Sequence, residues 1–396
     1  MITHKILFYN DSPVFGGHEK SLIYIIKYLI EHTNINLVFV FYCGNVRFSE
    51  YLNLTAQEYH HRISICKINY YSGSFQGVKT LLSFKHVSFI QNIINACQPD
   101  IVVVVQGSIE LSCLGLLAAK KSGYLTVSFI PMTFKFKDIG VYLGAFRDPI
   151  NKYFYSLPDK FIITSYSMLH RLTQHQVPEH KVDVVYGVID TSSYSKVNQS
   201  DARLFYKSQY NLKQDDFIMA IIGRVQFRQK GHDLLIHTLS QNLNKLKGCK
   251  LLVVGDGPDL PKLKSMVTKK KLQNHVEFIP WSNDLHYLYS AIDMLIIPSR
   301  FEGMPLVMLE AIHYSIPVIA SNRDGMKELL PAEWLFDCND SESLMRTLLK
   351  VKNMNQDEII IENKLKVDKK FNTKIFGKNF YNSISNLLIK NEISNF

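Results

Sequence analysis

Residues 294–320 read MLIIPSRFEGMPLVMLEAIHYSIPVIA, and the order of residue types there sets the reading of the rest of the chain. The apolar run from Met294 to Ile297 has the length of a buried strand. A short loop follows, carrying Arg300, Glu302 and Gly303. Pro305 suits the first position of a helix, where a missing N–H costs nothing. Glu310 then falls on the second helical turn, and a new strand begins at Ile316. A strand, a loop and a helix start together make an anion site, because unpaired backbone N–H groups and the helix dipole point into the loop. Two carboxylates flank it. They would repel a phosphate but accept hydrogen bonds from sugar hydroxyls, so the stretch reads as a site for a phosphorylated sugar.

The same scheme extends outward through the second half of the chain. Apolar runs at 217–222, 250–254, 276–279, 317–320 and 334–336 alternate with helical patterns at 232–246, 258–271, 284–291, 305–314 and 326–330. After the first of these runs comes Gly223-Arg224-Val225-Gln226-Phe227-Arg228-Gln229-Lys230-Gly231, which puts two cations, Arg224 and Lys230, in a strand-to-helix loop. There they could neutralise a diphosphate. Gly255-Asp256-Gly257-Pro258 resembles a phosphate loop but reads as a strand–helix turn. Glu328 reads as a cap of the helix that follows Asn322-Arg323-Asp324-Gly325, and Trp281 reads as packed.

The first half alternates in the same way. Strand patterns lie at 5–9, 35–42, 63–68, 101–105, 125–130, 160–163 and 181–185, and helical ones at 19–31, 79–96, 110–121 and 165–174. Short apolar runs separated by helices mean parallel sheets covered on both faces. The stretch 44–78 is less regular and rich in Tyr, His and Ser, and 186–210 has the composition of a linker. Phe15-Gly16-Gly17-His18-Glu19 follows the first strand, where adjacent glycines allow close backbone approach and positive φ. A plain tight turn is an equal reading. The stretch is not G-x-G-x-x-G, so no dinucleotide site is indicated. The architecture expected is α/β, with two Rossmann-like domains facing each other across a cleft. Residues 1–189 are expected to form the first domain together with a returning helix at 371–396, and 190–370 the second.

Bulk properties narrow the partners. With 396 residues, 46% hydrophobic and 20% charged, the chain has globular composition and the length of two cores. No apolar run reaches the roughly 18 residues of a membrane span, and 1–10 lacks a signal-peptide pattern. Six scattered cysteines without a C-x-x-C pair argue against a disulfide framework or a zinc site, so a reducing, cytoplasmic location is expected. The net charge of +10 suggests an anionic partner, either a membrane surface or a polyphosphate ligand. No nucleic-acid motif accompanies the basic run 262–271, which reads as a solvated helix face. No two aspartates stand one residue apart, so a D-x-D metal clamp is absent and the protein cations would meet the ligand's charge.

Taken together, Glu302 with Glu310 seven residues between, Gly223-Arg224 with Lys230-Gly231, the Gly255–Pro258 loop and Gly16-Gly17 resemble the retaining nucleotide-sugar glycosyltransferases of family 4, which have the GT-B fold. The resemblance covers the second half well and the first half loosely. It implies transfer of a hexose from a UDP or GDP sugar to a glycan or lipid-linked acceptor, with retention of anomeric configuration, without metal or other cofactor. Polysaccharide or glycolipid assembly at the inner face of a membrane is the setting that family implies. By the same resemblance, Arg224 and Lys230 hold the donor diphosphate, Glu302 touches the donor sugar and Glu310 binds the ribose. The backbone of Gly303, Met304, Pro305, Leu306 and Val307 meets the distal phosphate. Gly223, Gly16 and Gly17 let the donor come close. One departure stands out: the family's histidine after the fifth strand is missing from Phe129-Ile130-Pro131-Met132-Thr133-Phe134, which leaves the donor sugar open.

Overall fold

The computed structural model describes residues 4–190, 198–210, 212–213, 215–282 and 285–394. The chain divides into two compact units, Met1–Val188 with Thr373–Phe396, and Ile189–Asn372. Among the described residues no helix is long and apolar enough to cross a membrane.

Unit 1 is built on seven parallel strands. These are β1 (Lys5–Asn10), β2 (Asn36–Tyr42), β3 (Ile63–Ile68), β4 (Ile101–Val105), β5 (Leu125–Phe129), β6 (Lys160–Ile163) and β7 (Val182–Val184). Their order in the sheet is β3-β2-β1-β4-β5-β6-β7. β4, IVVVV, is buried along its whole length, as β-branched residues in a sheet covered on both faces should be. Unit 2 has six: β8 (Phe217–Ile222), β9 (Cys249–Val254), β10 (Val276–Ile279), β11 (Met294–Ile297), β12 (Val318–Ser321) and β13 (Leu335–Phe336), ordered β10-β9-β8-β11-β12-β13. In each sheet the chain runs outward on one side of its first strand, then returns to the other side. The reversal lies between β1 and β4 in unit 1 and between β8 and β11 in unit 2. Loops leaving the carboxyl ends there open a crevice, the usual ligand position in such sheets.

Several helices depart from the sequence reading. The single helix expected over 79–96 is two, Gln76–Leu82 and Phe84–Cys97, broken where Ser83 leaves helical geometry at φ −103° and ψ 62°. The apolar period of Leu81, Leu82 and Phe84 runs straight through the break and hides it. The irregular stretch 44–78 contains the helix Val46–Glu58, whose N-terminus is capped when Phe48 N–H donates to the Asn45 side chain. Only Phe48 and Leu52 of that helix are buried, too thin a stripe to read. The helices Gly144–Ser156, Ser341–Asn353 and Asp357–Lys370 were also not anticipated. Of the expected linker, 191–197 lie outside the described residues, while Gln199–Gln209 is a helix capped by Asn198. Residue 284, the first of the helix expected over 284–291, also lies outside them together with 283, and that helix spans His286–Ala291.

The last helix, Thr373–Ser394, packs on unit 1 against Gly17–His32. It sends Phe376, Phe380, Ile384 and Leu388 into a core that also holds Phe8, Phe39 and Phe129. Phe380 stacks 6.4 Å from Phe8 and meets Phe129 edge-on at 5.8 Å. Gly377 permits this approach, since a Cβ there would stand 2.2 Å from the Tyr28 ring. Gly377→Ala should therefore lower the stability of unit 1 by about 1–3 kcal/mol through overpacking. Thermal denaturation measures this, and an unchanged transition would mean that the two helices are not in such close contact.

Candidate functional site

In unit 2 the loops leaving β8, β9, β11 and β12 meet backbone to backbone. Val225 N–H donates to Asp256 O at 2.8 Å and Gly325 N–H to Gly303 O at 3.0 Å. A Cβ on Gly255 would lie 2.2 Å from Gly223 O, and one on Gly325 would lie 2.1 Å from Gly303 O. Gly231, at φ +67°, leaves no room either, with a Cβ only 2.0 Å from Pro298 O. Side chains are excluded at these positions, so the loops converge. Gly255–Pro258 is thus a structural turn, as its composition suggested.

Across the reversal between β8 and β11, Lys230 reaches Glu302. The Lys230 Nζ donates to Glu302 Oε1 at 2.6 Å, and Ser299 Oγ donates to the same oxygen at 2.9 Å. Gln229 Nε2 approaches the other oxygen at 3.5 Å, and Glu302 N–H donates to Asp324 Oδ2 at 3.1 Å. Glu302 is only 6% exposed, and a buried carboxylate needs such partners. The ammonium sits beside Gly223, where a Cβ would be 3.9 Å from Nζ, so the cation lies against bare backbone. Arg224 occupies the same loop but is exposed, and it makes no hydrogen bond or ion pair among the described residues.

Pro305 is the N-cap rather than the first helical residue, because its ψ of 120° is extended and the helix spans Leu306–His313. Leu306 and Val307 thus open the first turn, whose N–H groups have no partner within the helix. Gly303 and Met304 are buried just before it. Glu310, one turn further, is buried and accepts a hydrogen bond from Tyr289 OH at 2.7 Å. Gly16 and Gly17 belong to unit 1. Gly16 caps the helix Gly17–His32 at φ −144°, extended backbone that any residue adopts, and Gly17 has no positive φ either. The positive φ that glycine permits is not used at either position.

Three features escaped the sequence reading. Arg300 clamps the site loops together: it pairs bidentately with Asp233 at 2.8 and 2.9 Å, and also bonds Asn339 and Phe227 O. His232, directly after Gly231, is buried with neither ring nitrogen hydrogen-bonded. Burial, with help from the Lys230 charge, pushes its pKa down to about 4. In unit 1, Asp11 bridges the loops after β1 and β4, accepting from Ser112 N–H at 3.0 Å and from Ser72 Oγ at 2.5 Å. Burial raises its pKa against those bonds. Two expectations fail. Trp281 is 39% exposed instead of packed. Glu328 lies in the last turn of Asp324–Leu329 and does not cap it.

The loops, charges and helix starts of unit 2 all fall inside one stretch of recognisable sequence. Residues 203–367 match the family Glycosyl transferases group 1. A UDP-Gal:alpha-D-GlcNAc-diphosphoundecaprenol alpha-1,3-galactosyltransferase of Escherichia coli is 28% identical over 180 residues, covering 43% of this chain and 45% of that protein. The O-antigen biosynthesis glycosyltransferase WclY of Escherichia coli is 28% identical over 52% of this chain and 54% of its own length. The chain thus spans about half the length of the curated relatives it matches. Among solved structures, HepE of Anabaena in complex with UDP and glucose superposes with a TM-score of 0.76 at 19% identity, covering 96% of this chain and 99% of HepE. That likeness shows the fold, GT-B with its two Rossmann-like units.

His232 gives the site a signature in acid. Between pH 6.5 and about 4 the unfolded chain binds a proton on this imidazole that the folded chain refuses. Stability is therefore complete above pH 6.5 and falls as the pH drops to 4, by at most about 3 kcal/mol. His232→Leu should remove that share of the acid sensitivity, read as melting temperature against pH. An unaltered pH profile would show that the imidazole is not held neutral.

Proposed function

We propose that the chain is a retaining glycosyltransferase of family 4, moving a hexose from a UDP sugar to a glycan or lipid-linked acceptor, without a metal ion. The observation that carries this reading is the Lys230–Glu302 contact across the loops after β8 and β11, beside the open helix start at Leu306. Family and relatives support it: the group 1 match spans the contact, and the galactosyltransferase and WclY act in the glycan chemistry that their names describe. HepE was solved with UDP, which favours uridine over guanosine in the donor.

On this reading the anomeric carbon–phosphate oxygen bond breaks while the acceptor hydroxyl attacks from the same side of the sugar. The hydroxyl proton leaves on the departing diphosphate. Negative charge grows on that group as the bond lengthens, so donors aimed at it lower the barrier. Lys230 supplies one fixed ammonium, kept in place by Glu302, which Ser299 holds in turn. Arg224, unpaired and in the same loop, supplies a second cation that can close on the ligand. The first-turn amides of Leu306 and Val307 meet the distal phosphate. Glu302 receives sugar hydroxyls on the oxygen that Lys230 does not hold. Glu310, held by Tyr289, receives the ribose hydroxyls.

A panel of UDP, GDP and ADP sugars should raise the melting temperature most with UDP sugars, since the tightest ligand stabilises the folded chain most. Greatest stabilisation by GDP or ADP sugars would refute uridine. Lys230→Ala should cut turnover by about 100-fold or more, and near-normal activity would remove that residue from the reaction. Turnover should survive EDTA; activity lost to EDTA and restored by manganese would exclude the metal-free scheme.

A further inference from the structure

We infer that Asp324 is a positioning residue for Glu302, kept in left-handed backbone so that its carboxylate can fix the loop between β11 and the helix Leu306–His313. Asp324 has φ +50°. Glycine takes that conformation without steric cost, whereas an aspartate there carries local strain. Such strain persists only where the surrounding contacts over-determine it. The Asp324 side chain is also 2% exposed, so its carboxylate has left water. A strained residue with a buried charge is kept for what that charge bonds.

The bonds lead to the site. Two backbone contacts tie the loop after β11: Arg300 N–H donates to Gln229 O at 2.6 Å, and Gly303 O accepts from Gly325 N–H at 3.0 Å. Glu302 lies between these points, and its N–H donates to Asp324 Oδ2 at 3.1 Å. That bond fixes the peptide plane from which the Glu302 side chain departs. Lys230, Ser299 and Gln229 meet the carboxylate at the far end, so the side chain is held at both ends. Asp324 is braced in turn. Arg323 Nε donates to the same Oδ2 at 3.2 Å, and Arg323 Nη1 donates to Cys338 Sγ at 3.3 Å, in the loop after β13. The two buried acids thus each face a cation of their own, Lys230 for Glu302 and Arg323 for Asp324. An acid at the start of the helix Asp324–Leu329 also suits the helix dipole, but a dipole does not require the side chain to turn toward Glu302 and Arg323.

Glu302 is read above as meeting the donor sugar, and the effect of Asp324 on turnover rests on that reading; its hold on the loop does not. Asp324→Gly removes the carboxylate and relieves the backbone, while Asp324→Asn keeps an acceptor on a residue that tolerates positive φ. Hydrogen exchange over residues 300–306, read by mass spectrometry, should quicken by about tenfold or more in the glycine variant and stay parental in the asparagine variant. UDP alone, which lacks the sugar, should bind the parent and both variants alike. Release of UDP from a panel of UDP hexoses should fall by about tenfold or more in the glycine variant alone, through misplacement of Glu302. Parental exchange in the glycine variant, an asparagine variant equally impaired, or UDP affinity lost in step with turnover would overturn the proposal. Faster exchange in the glycine variant, with no UDP released by the parent from any hexose donor, would support the loop contact and refute the UDP-hexose reading instead.

Discussion

A carboxylate taken out of water has to be answered from several directions at once, and Glu302 imposes that demand on unit 2. Its partners come from two different loops: Lys230 and Gln229 after β8, Ser299 from its own. Bringing those loops together requires chain without side chains at the crossing points, which is why Gly231 and Gly325 are pressed against carbonyl oxygens of Pro298 and Gly303. Arg300 then ties the two loops together from the outside through Asp233. Lys230 and Ser299 together answer one oxygen of the carboxylate and Gln229 approaches the other.

Unit 1 solves a related problem with different chemistry. At its own strand reversal, the loops after β1 and β4 are joined by Asp11, which is answered by Ser72, Ser112 and Tyr9 with no cation nearby in that set. Neutral donors leave burial uncompensated, and the carboxyl is raised. Glu19, a few residues on, has the opposite balance: burial works to raise it, but His18, Asn10 and the Gly16 N–H together hold it below its ordinary range. One sheet edge thus carries two acids, Asp11 and Glu19, tuned in opposite senses.

Most strands could be read directly because apolar, β-branched runs bounded by turn residues have few other uses. β3, β4, β6, β8, β10 and β11 fall where their composition puts them. Helices were legible only when their buried stripe was wide. Asp357–Lys370 buries little beyond Asn363 and Val367, and no periodicity survives that. In the site, Lys230 and Glu302 were visible because each stands in a loop of recognisable shape. Their contact was not, since 72 positions separate them. Arg300 was seen and passed over for the same reason, its partner being 67 positions away. His232 looked like one more helix-starting residue. Only burial, which is a property of the fold, gives it meaning.

The aromatic residues of Thr373–Ser394 have a consequence for how the chain is made. Phe8 and Phe39 leave the ribosome early, yet Phe380, which completes their packing, is synthesised only after all of unit 2. During translation the first sheet must therefore wait with part of its interior uncovered, while unit 2 already has everything it needs. The order of folding should run against the order of synthesis, and the nascent first half is the stage at which a chaperone has most to shield.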